Sequence, residues 1–307
     1  MSPVPTIPDH FRCHLKRFCI ASAVLIAAFT PTLWDLTRYC LREDLFSYAL
    51  PVPFITGFLV ARSWHHLEFR FSPSSLIALT TGVASVLVLA LSFLDTGAPG
   101  DPDSSALSVR MLSFVSGWIA IALWTLGRCF MSGLVFPAAF LIFMVPPPPV
   151  AVETLESGLQ HASAEVSSWL FPAANVPFYR TGLAFQLPDI TIQVAPECSG
   201  IRSTLVLFII SLLAGYFYLQ RPWQRVALAA FVIPLGIARN AFRIVTIGWL
   251  CTRHGPEMAD SPIHHRGGPV FFAVSLIPLF VMLILFRKLG NASGNAVPPQ
   301  PGPAGNT

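Results

Sequence analysis

Residues 199–219 read SGIRSTLVLFIISLLAGYFYL, an apolar run in which Arg202 is the only charged residue. About 20 apolar residues in a helix are enough to cross the hydrocarbon core of a bilayer. Runs of similar character recur on both sides of this one, which predicts an all-α polytopic membrane protein with about eight transmembrane helices. The predicted helices cover residues 18–34, 45–61, 76–94, 107–127, 131–146, 199–219, 226–250 and 268–286.

The composition agrees with this fold class. Of the 307 residues, 54% are hydrophobic and 11% are charged, whereas soluble domains carry about 25% charged residues. We therefore expect a single integral-membrane domain over residues 1–288, followed by a disordered cytoplasmic tail over residues 289–307 that is rich in Gly, Pro and Asn. The net charge of +4 is not accompanied by a basic patch, so no nucleic-acid partner is expected. The six Cys residues show no metal-ligand spacing, so neither a metal nor another cofactor is expected.

The distribution of Lys and Arg predicts the orientation of the chain. Basic residues near helix ends favour the cytoplasmic side, and the pattern here places both termini there. A second set of arginines falls on the predicted outer side, where the topology rule does not explain them. This set consists of Arg180, Arg202, Arg239, Arg243, Arg253 and Arg266.

Residues 146–197 form the longest segment that is not predicted to span the membrane. Prolines 146–149 end the fifth predicted helix, because proline lacks the amide donor of a helix. An apolar stripe at helical spacing then predicts an amphipathic helix on the outer leaflet or capping the bundle. The stripe consists of Val152, Leu155, Leu159, Ala162, Val166 and Trp169.

Alternating apolar residues follow that stripe. Leu183, Phe185 and Leu187 alternate with small or polar residues, as do Ile190, Ile192 and Val194, and Pro-Asp at 188–189 lies between the two sets. This pattern predicts an extracytoplasmic β-hairpin between the fifth and sixth helices. Its second strand leads directly into APECSGIRS, residues 195–203.

Cys198 therefore falls where a strand ends and a helix begins. In that position it is either a small packed residue at the membrane edge or a nucleophile whose thiolate is favoured by the helix dipole. Arg202, one turn further on, adds positive potential there or else extends to lipid phosphates. Glu197 and Ser199 are candidates to cap the helix.

Two further groups of polar residues lie on the same predicted side. Asn240 and Arg243 are three residues apart inside an apolar helix, where a charged residue normally faces the bundle interior or a water-filled cavity. With the helix ending near residue 250, Arg243 is expected about 10 Å from its outer end. The loop that follows contains His254, His264 and His265, which are candidate groups for proton transfer.

The segments PECSGIRS, NAFRI and H…GGPVFF resemble the signatures of the exosortase/archaeosortase family of membrane-embedded cysteine transpeptidases. The resemblance implies a catalytic half at about 146–272, with Cys198 as the nucleophile and Arg243 as the arginine that stabilises the oxyanion or the substrate. His264 is the preferred acid/base, and His265 and His254 are the alternatives. Supporting roles fall to Asn240, Arg202, Glu197 and Ser199.

The resemblance also implies a substrate and a location. The partners are exported proteins that carry a C-terminal sorting signal of the PEP-CTERM type, together with the lipids of a bacterial cytoplasmic membrane. The enzyme cleaves near the signal on the outer face, in systems often coupled to exopolysaccharide production. The alternative interpretation is a multi-pass transporter or lipid-handling protein in which Asn240 and Arg243 line a substrate path.

Overall fold

The computed structural model describes residues 8–94, 104–188, 190–194, 200–255 and 268–292. The chain divides into two compact units, Met1–Val152 and Glu153–Thr307. The helices of the first unit are α1 (Asp9–Ala28), α2 (Thr30–Arg42), α3 (Val52–Ser63), α4 (Ser75–Leu94), α5 (Ser104–Ser132) and α6 (Val135–Phe140), with 3-10 segments at Asp44–Ala49, Trp64–His66 and Leu141–Met144. α7 (Pro149–Ala173) begins in the first unit, and the second continues with β1 (Tyr179–Thr181), β2 (Ala184–Gln186), β3 (Thr191–Gln193), α8 (Ile201–Tyr218), α9 (Pro222–His254) and α10 (Gly268–Ala292).

The helices confirm a multi-pass membrane protein, whereas the predicted number of about eight spans is not confirmed. Among the described residues, five segments are long and apolar enough to cross a membrane, and the number reaches seven if each of two bent helix pairs is one span. The apolar part of α4, Ser75–Leu91, is too short to be counted among these candidate spans. Residues 131–146, predicted to be one helix, form the end of α5, the short α6 and a 3-10 segment.

The first predicted span is interrupted. Helices α1 and α2 meet at Phe29 with a bend of 64°, inside the predicted range 18–34. Pro31 is the second residue of α2, and proline at the start of a helix can neither donate to nor pack against a preceding helical turn. The chain therefore begins a new helix here.

In the first unit, α5 departs from helical geometry at Gly127, which has a φ of 83°. A side chain there would place its Cβ 2.6 Å from the carbonyl oxygen of Ser72, and the amide of Arg128 donates to that same oxygen at 3.0 Å. On either side of the kink, Leu126 and Phe130 pack with Phe11 in a buried cluster.

The second unit contains the predicted hairpin. Strands β2 and β3 pair antiparallel, with Phe185 opposite Ile192, and the amide of Leu187 donates to the carbonyl of Ile190 at 2.8 Å. Strand β1 was not predicted; it pairs with β2 across a turn at Gly182, where φ is 62°. A positive φ at this place is what a two-residue hairpin turn requires.

The helix predicted after the prolines is present as α7, but its apolar stripe is not its buried face. Leu155 and Trp169 are exposed, whereas the buried residues are mostly small or polar: Gln160, Ser163, Ala164, Ser167 and Phe171. Phe171 packs with Phe185 of the sheet and with Ile244 and Val245 of α9. The sheet is therefore held between α7 and the C-terminal part of α9.

Helices α8, α9 and α10 pack together through a second core. It includes Leu207 of α8, Leu228 and Val232 of α9, and Leu279 and Leu283 of α10. The last helix continues to Ala292, beyond the predicted end at residue 286, and the remainder of the predicted tail lies outside the described residues. The prediction of a single domain over residues 1–288 stays a prediction.

Candidate active site

The predicted site is described in part. Glu197, Cys198, Ser199, His264 and His265 lie outside the described residues, so their roles stay predictions. Arg202, Asn240, Arg243 and His254 are described, and so is Gly200, two residues after Cys198. The described part of the site consists of the start of α8 and the part of α9 that faces it.

Gly200 is the residue that precedes α8, and its backbone is in the left-handed region with φ 71° and ψ 13°. A Cβ on this residue would lie 2.8 Å from Nη2 of Arg239 and 3.4 Å from Oδ1 of Asn240. Glycine is the residue that adopts this conformation without steric cost. Gly200, two residues after the predicted nucleophile Cys198, therefore packs directly against the side chains of Arg239 and Asn240 on α9.

The carbonyl oxygen of Gly200 is the centre of a hydrogen-bond cluster. Nη2 of Arg239 donates to it at 3.0 Å, while the amide and Oγ1 of Thr204 donate at 3.0 Å and 2.8 Å. Nη2 of Arg239 also donates to Oγ1 of Thr204 at 3.2 Å. A charged donor shared between a backbone carbonyl and a hydroxyl holds the first turn of α8 against α9.

The close approach of the two helices depends on Gly236. A Cβ at this position would lie 2.7 Å from Oγ1 and 3.0 Å from Cγ2 of Thr204. Gly236, Arg239 and Asn240 are spaced three and four residues apart, which puts them on one face of α9. A small residue at a helix crossing lets the backbones approach closely, and here it lets Arg239 reach Gly200.

Arg239 and Asn240 are deeply buried, with exposed fractions of 9% and 2%. Nη1 of Arg239 and Nδ2 of Asn240 are buried atoms with no hydrogen-bond partner among the described residues. Burying such donors is costly unless a partner satisfies them. They are therefore suited to an acceptor beyond the described residues, either on the chain or on a substrate.

The charged residues that the described parts of α8 and α9 place near these donors are arginines. Arg243 lies one helical turn beyond Arg239 and is half-buried, and Arg202 is exposed in the first turn of α8. Residues 200–255 and 268–292, which contain α8, α9 and α10, include neither Asp nor Glu. Such a site favours groups that carry or develop negative charge.

His254 is separated from this cluster. Helix α9 continues to His254, four residues beyond the predicted end, so Arg243 lies about 16 Å from that end at 1.5 Å per residue, not about 10 Å. His254 is exposed, and its ring lies 6.3 Å from that of Trp249. The role of His254 as an alternative acid/base stays a prediction.

Four residues of this arrangement were not predicted to belong to the site from the sequence: Gly200, Thr204, Gly236 and Arg239. Of these, only Arg239 belongs to the set of arginines that the topology rule does not explain. The spacing of Gly236, Arg239 and Asn240 along one helix face was the available signal. Within the described ranges, no group of three or more His, Cys, Asp or Glu residues is placed to hold a metal ion.

One comparison with known proteins identifies the family of the chain. A family model described as transmembrane exosortase matches residues 40–281, more than three quarters of the chain, and the match includes Cys198, Arg239, Asn240, Arg243 and the three predicted histidines. No curated protein and no solved structure matches the chain. The chain belongs to the transmembrane exosortase family.

Proposed function

We propose that this exosortase is a cysteine endopeptidase and transpeptidase that cleaves C-terminal sorting signals of the PEP-CTERM type from exported proteins. Cys198 is the nucleophile, Arg243 stabilises the oxyanion or the substrate, and His264 is the acid/base. The orientation is that expected from the Lys and Arg distribution, with both termini in the cytoplasm and the site on the outer face of a bacterial inner membrane.

The observation that carries this proposal is the contact between α9 and Gly200. Gly200 is two residues from Cys198, and its carbonyl accepts a hydrogen bond from Arg239, one helical turn from Arg243. The buried side chain of Asn240 also lies close to Gly200. These contacts support the proposal because they bring the polar face of α9 to Gly200, two residues after the predicted nucleophile.

The chemistry follows from these groups. The thiolate of Cys198 attacks the carbonyl carbon of the scissile peptide bond, and the developing oxyanion is stabilised by the guanidinium of Arg243. The C–N bond then breaks as His264 protonates the leaving amine, which leaves an acyl thioester on Cys198. Attack by water, or by a nucleophilic group of an acceptor molecule, releases the acyl group and restores the thiolate. Water gives hydrolysis and an acceptor gives transfer, and the mass of the product distinguishes the two.

The N-terminus of α8 contributes a second source of positive potential. The helix has 18 residues, so its dipole and its first free amides favour negative charge at that end. Arg239, Arg243 and Arg202 add formal charges without a carboxylate on the same helices. These features favour both a thiolate at Cys198 and an oxyanion beside it.

The experiment is co-expression with an exported reporter that ends in a tripartite signal: the short motif, a transmembrane helix and a basic tail. We expect processing with the wild-type enzyme and its loss in Cys198→Ala and Arg243→Ala. Cys19→Ala is the matched control, because Cys19 is an exposed cysteine in α1, and it is expected to process normally. Normal processing by both Cys198→Ala and Arg243→Ala, at equal membrane levels, refutes the proposal and favours the transporter interpretation.

A further inference from the structure

A polar cavity lies at the other end of the second unit's helices. It has a volume of about 420 Å³ and is formed where α8 ends, α9 begins and α10 ends. Its lining includes Tyr216, Arg221, Gln224, Arg225 and Arg287. The catalytic residues proposed above do not line it, and the proposed reaction does not use it.

The lining carries three positive charges and no negative one among the described residues. Residues 200–255 and 268–292 contain neither Asp nor Glu, so these helices supply no carboxylate to balance the arginines. The nearest acidic residues in the sequence that follows α9 are Glu257 and Asp260, which come after its far end. At 33 residues, that helix is about 50 Å long.

Two of the lining side chains are held in place. The Nε of Arg225 donates to the carbonyl of Leu219 at 2.9 Å, and its guanidinium lies 5.6 Å from the ring centre of Tyr216. Gln224 is buried, and its Nε2 donates to the carbonyl of Phe286 at 2.8 Å, which joins α9 to α10. The cavity is therefore a built feature of the helix packing and not a chance gap between flexible side chains.

The position of the cavity matches the headgroup level of a bilayer. Each of the three helices is a candidate membrane span, and Tyr218 and Trp223 are exposed beside their ends. Exposed Tyr and Trp are typical of the boundary between hydrocarbon and water. Helix α9 begins at Pro222, so the dipole of this helix adds positive potential beside the cavity.

We propose that this cavity binds the phosphate of an anionic phospholipid headgroup, such as that of phosphatidylglycerol. Arginine pairs with phosphate through charge-assisted hydrogen bonds, and basic pockets between transmembrane helices are suited to anionic lipid headgroups. The acyl chains lie on the exposed apolar surface next to the cavity, which includes Phe217, Val226 and Leu289. In the expected orientation, the lipid belongs to the cytoplasmic leaflet.

The test compares lipids on the purified full-length protein. Native mass spectrometry measures the apparent affinity for phosphatidylglycerol and for phosphatidylcholine, and a parallel series titrates soluble glycerol phosphate and inorganic phosphate. We expect phosphatidylglycerol to bind more tightly than phosphatidylcholine. We expect Arg287→Gln and Arg221→Gln each to weaken phosphatidylglycerol binding about tenfold, because each removes one charge-assisted contact.

Lys288→Gln is the matched control, because Lys288 adjoins Arg287 but does not line the cavity; it is expected to bind phosphatidylglycerol like the wild type. The unfolding temperature of each variant in phosphatidylcholine shows whether it folds normally. Equal affinity in Arg287→Gln, Arg221→Gln and Lys288→Gln overturns the proposal. Binding of glycerol phosphate or inorganic phosphate as tight as that of phosphatidylglycerol also overturns it, since the cavity is then a free-anion site.

Discussion

Nη2 of Arg239 donates a hydrogen bond to the carbonyl oxygen of Gly200 at 3.0 Å, across 39 residues of sequence. The bond joins the middle of α9 to the start of α8, and Gly200 lies two residues after the predicted nucleophile Cys198. Gly200 immediately precedes α8, so the hydrogen bond from Arg239 helps to hold the start of that helix against α9.

Arg239 is accordingly expected to act as a positioning residue. Arg239→Met keeps much of the side-chain volume but removes its hydrogen bonds to Gly200 and Thr204. We expect reporter processing to fall at least tenfold, while the free energy of unfolding falls by about 1.5–3 kcal/mol, the usual effect of losing a hydrogen bond to a charged group. Processing in cells and thermal unfolding in detergent measure the two effects. The control is Arg253→Met, an exposed arginine near the end of the same helix; an equal loss of processing in both variants contradicts this role.

Gly200 is expected to tolerate no side chain. Gly200→Ala costs about 1 kcal/mol for its left-handed conformation and in addition forces Arg239 or the backbone to move, since the new Cβ lies 2.8 Å from Nη2. Gly182→Ala separates the two effects, because Gly182 has a similar φ of 62° and nothing within 4 Å of its Cβ position. Thermal unfolding should show a clearly larger loss for Gly200→Ala, along with loss of processing. Equal destabilisation by the two substitutions is the result that counts against a steric role for Arg239.

Gly236 is expected to set the distance between α8 and α9. Gly236→Ala introduces a Cβ 2.7 Å from Oγ1 of Thr204, and overpacking of this kind costs about 1–3 kcal/mol. Thr204→Ala removes the atoms that collide, so the double variant should recover part of the loss in a double-mutant cycle. Gly158→Ala is the control, because nothing lies within 4 Å of its Cβ position in α7. Additive effects of Gly236→Ala and Thr204→Ala contradict the proposed contact.

His264 is expected to be the histidine that the reaction requires. His264→Ala should reduce processing at least a hundredfold, as expected when a general acid/base is removed, with smaller losses in His265→Ala and His254→Ala. His161→Ala is the control, since His161 is exposed on α7 and its Nδ1 lies 2.8 Å from the carbonyl of Ser157 one turn earlier. Reporter processing at equal enzyme levels measures all four variants. A larger loss in His254→Ala than in His264→Ala reverses the assignment.

Elements with a strong repeating pattern were predicted well, and breaks in the pattern were not. Helices α8 and α9 follow from long apolar runs, and strands β2 and β3 from alternation, because both patterns record which side chains avoid water. Strand β1 has three residues, too few for an alternation to be recognised. The bend at Phe29 depends on Pro31, and the kink at Gly127 depends on its close contact with the backbone of Ser72. A hydropathy pattern records neither of these causes.

The membrane class and the positions of α8 and α9 could be read from the sequence, and the location of Cys198, Asn240 and Arg243 on one side of the membrane stays a prediction. Each of these follows from local composition and spacing. The contact between Arg239 and Gly200 could not be read from the sequence, since it requires α8 and α9 to cross at Gly236 and Thr204. The physical reason is that hydropathy governs which segments leave water, whereas the partner of a buried polar group depends on the atoms that helix packing brings within hydrogen-bonding distance.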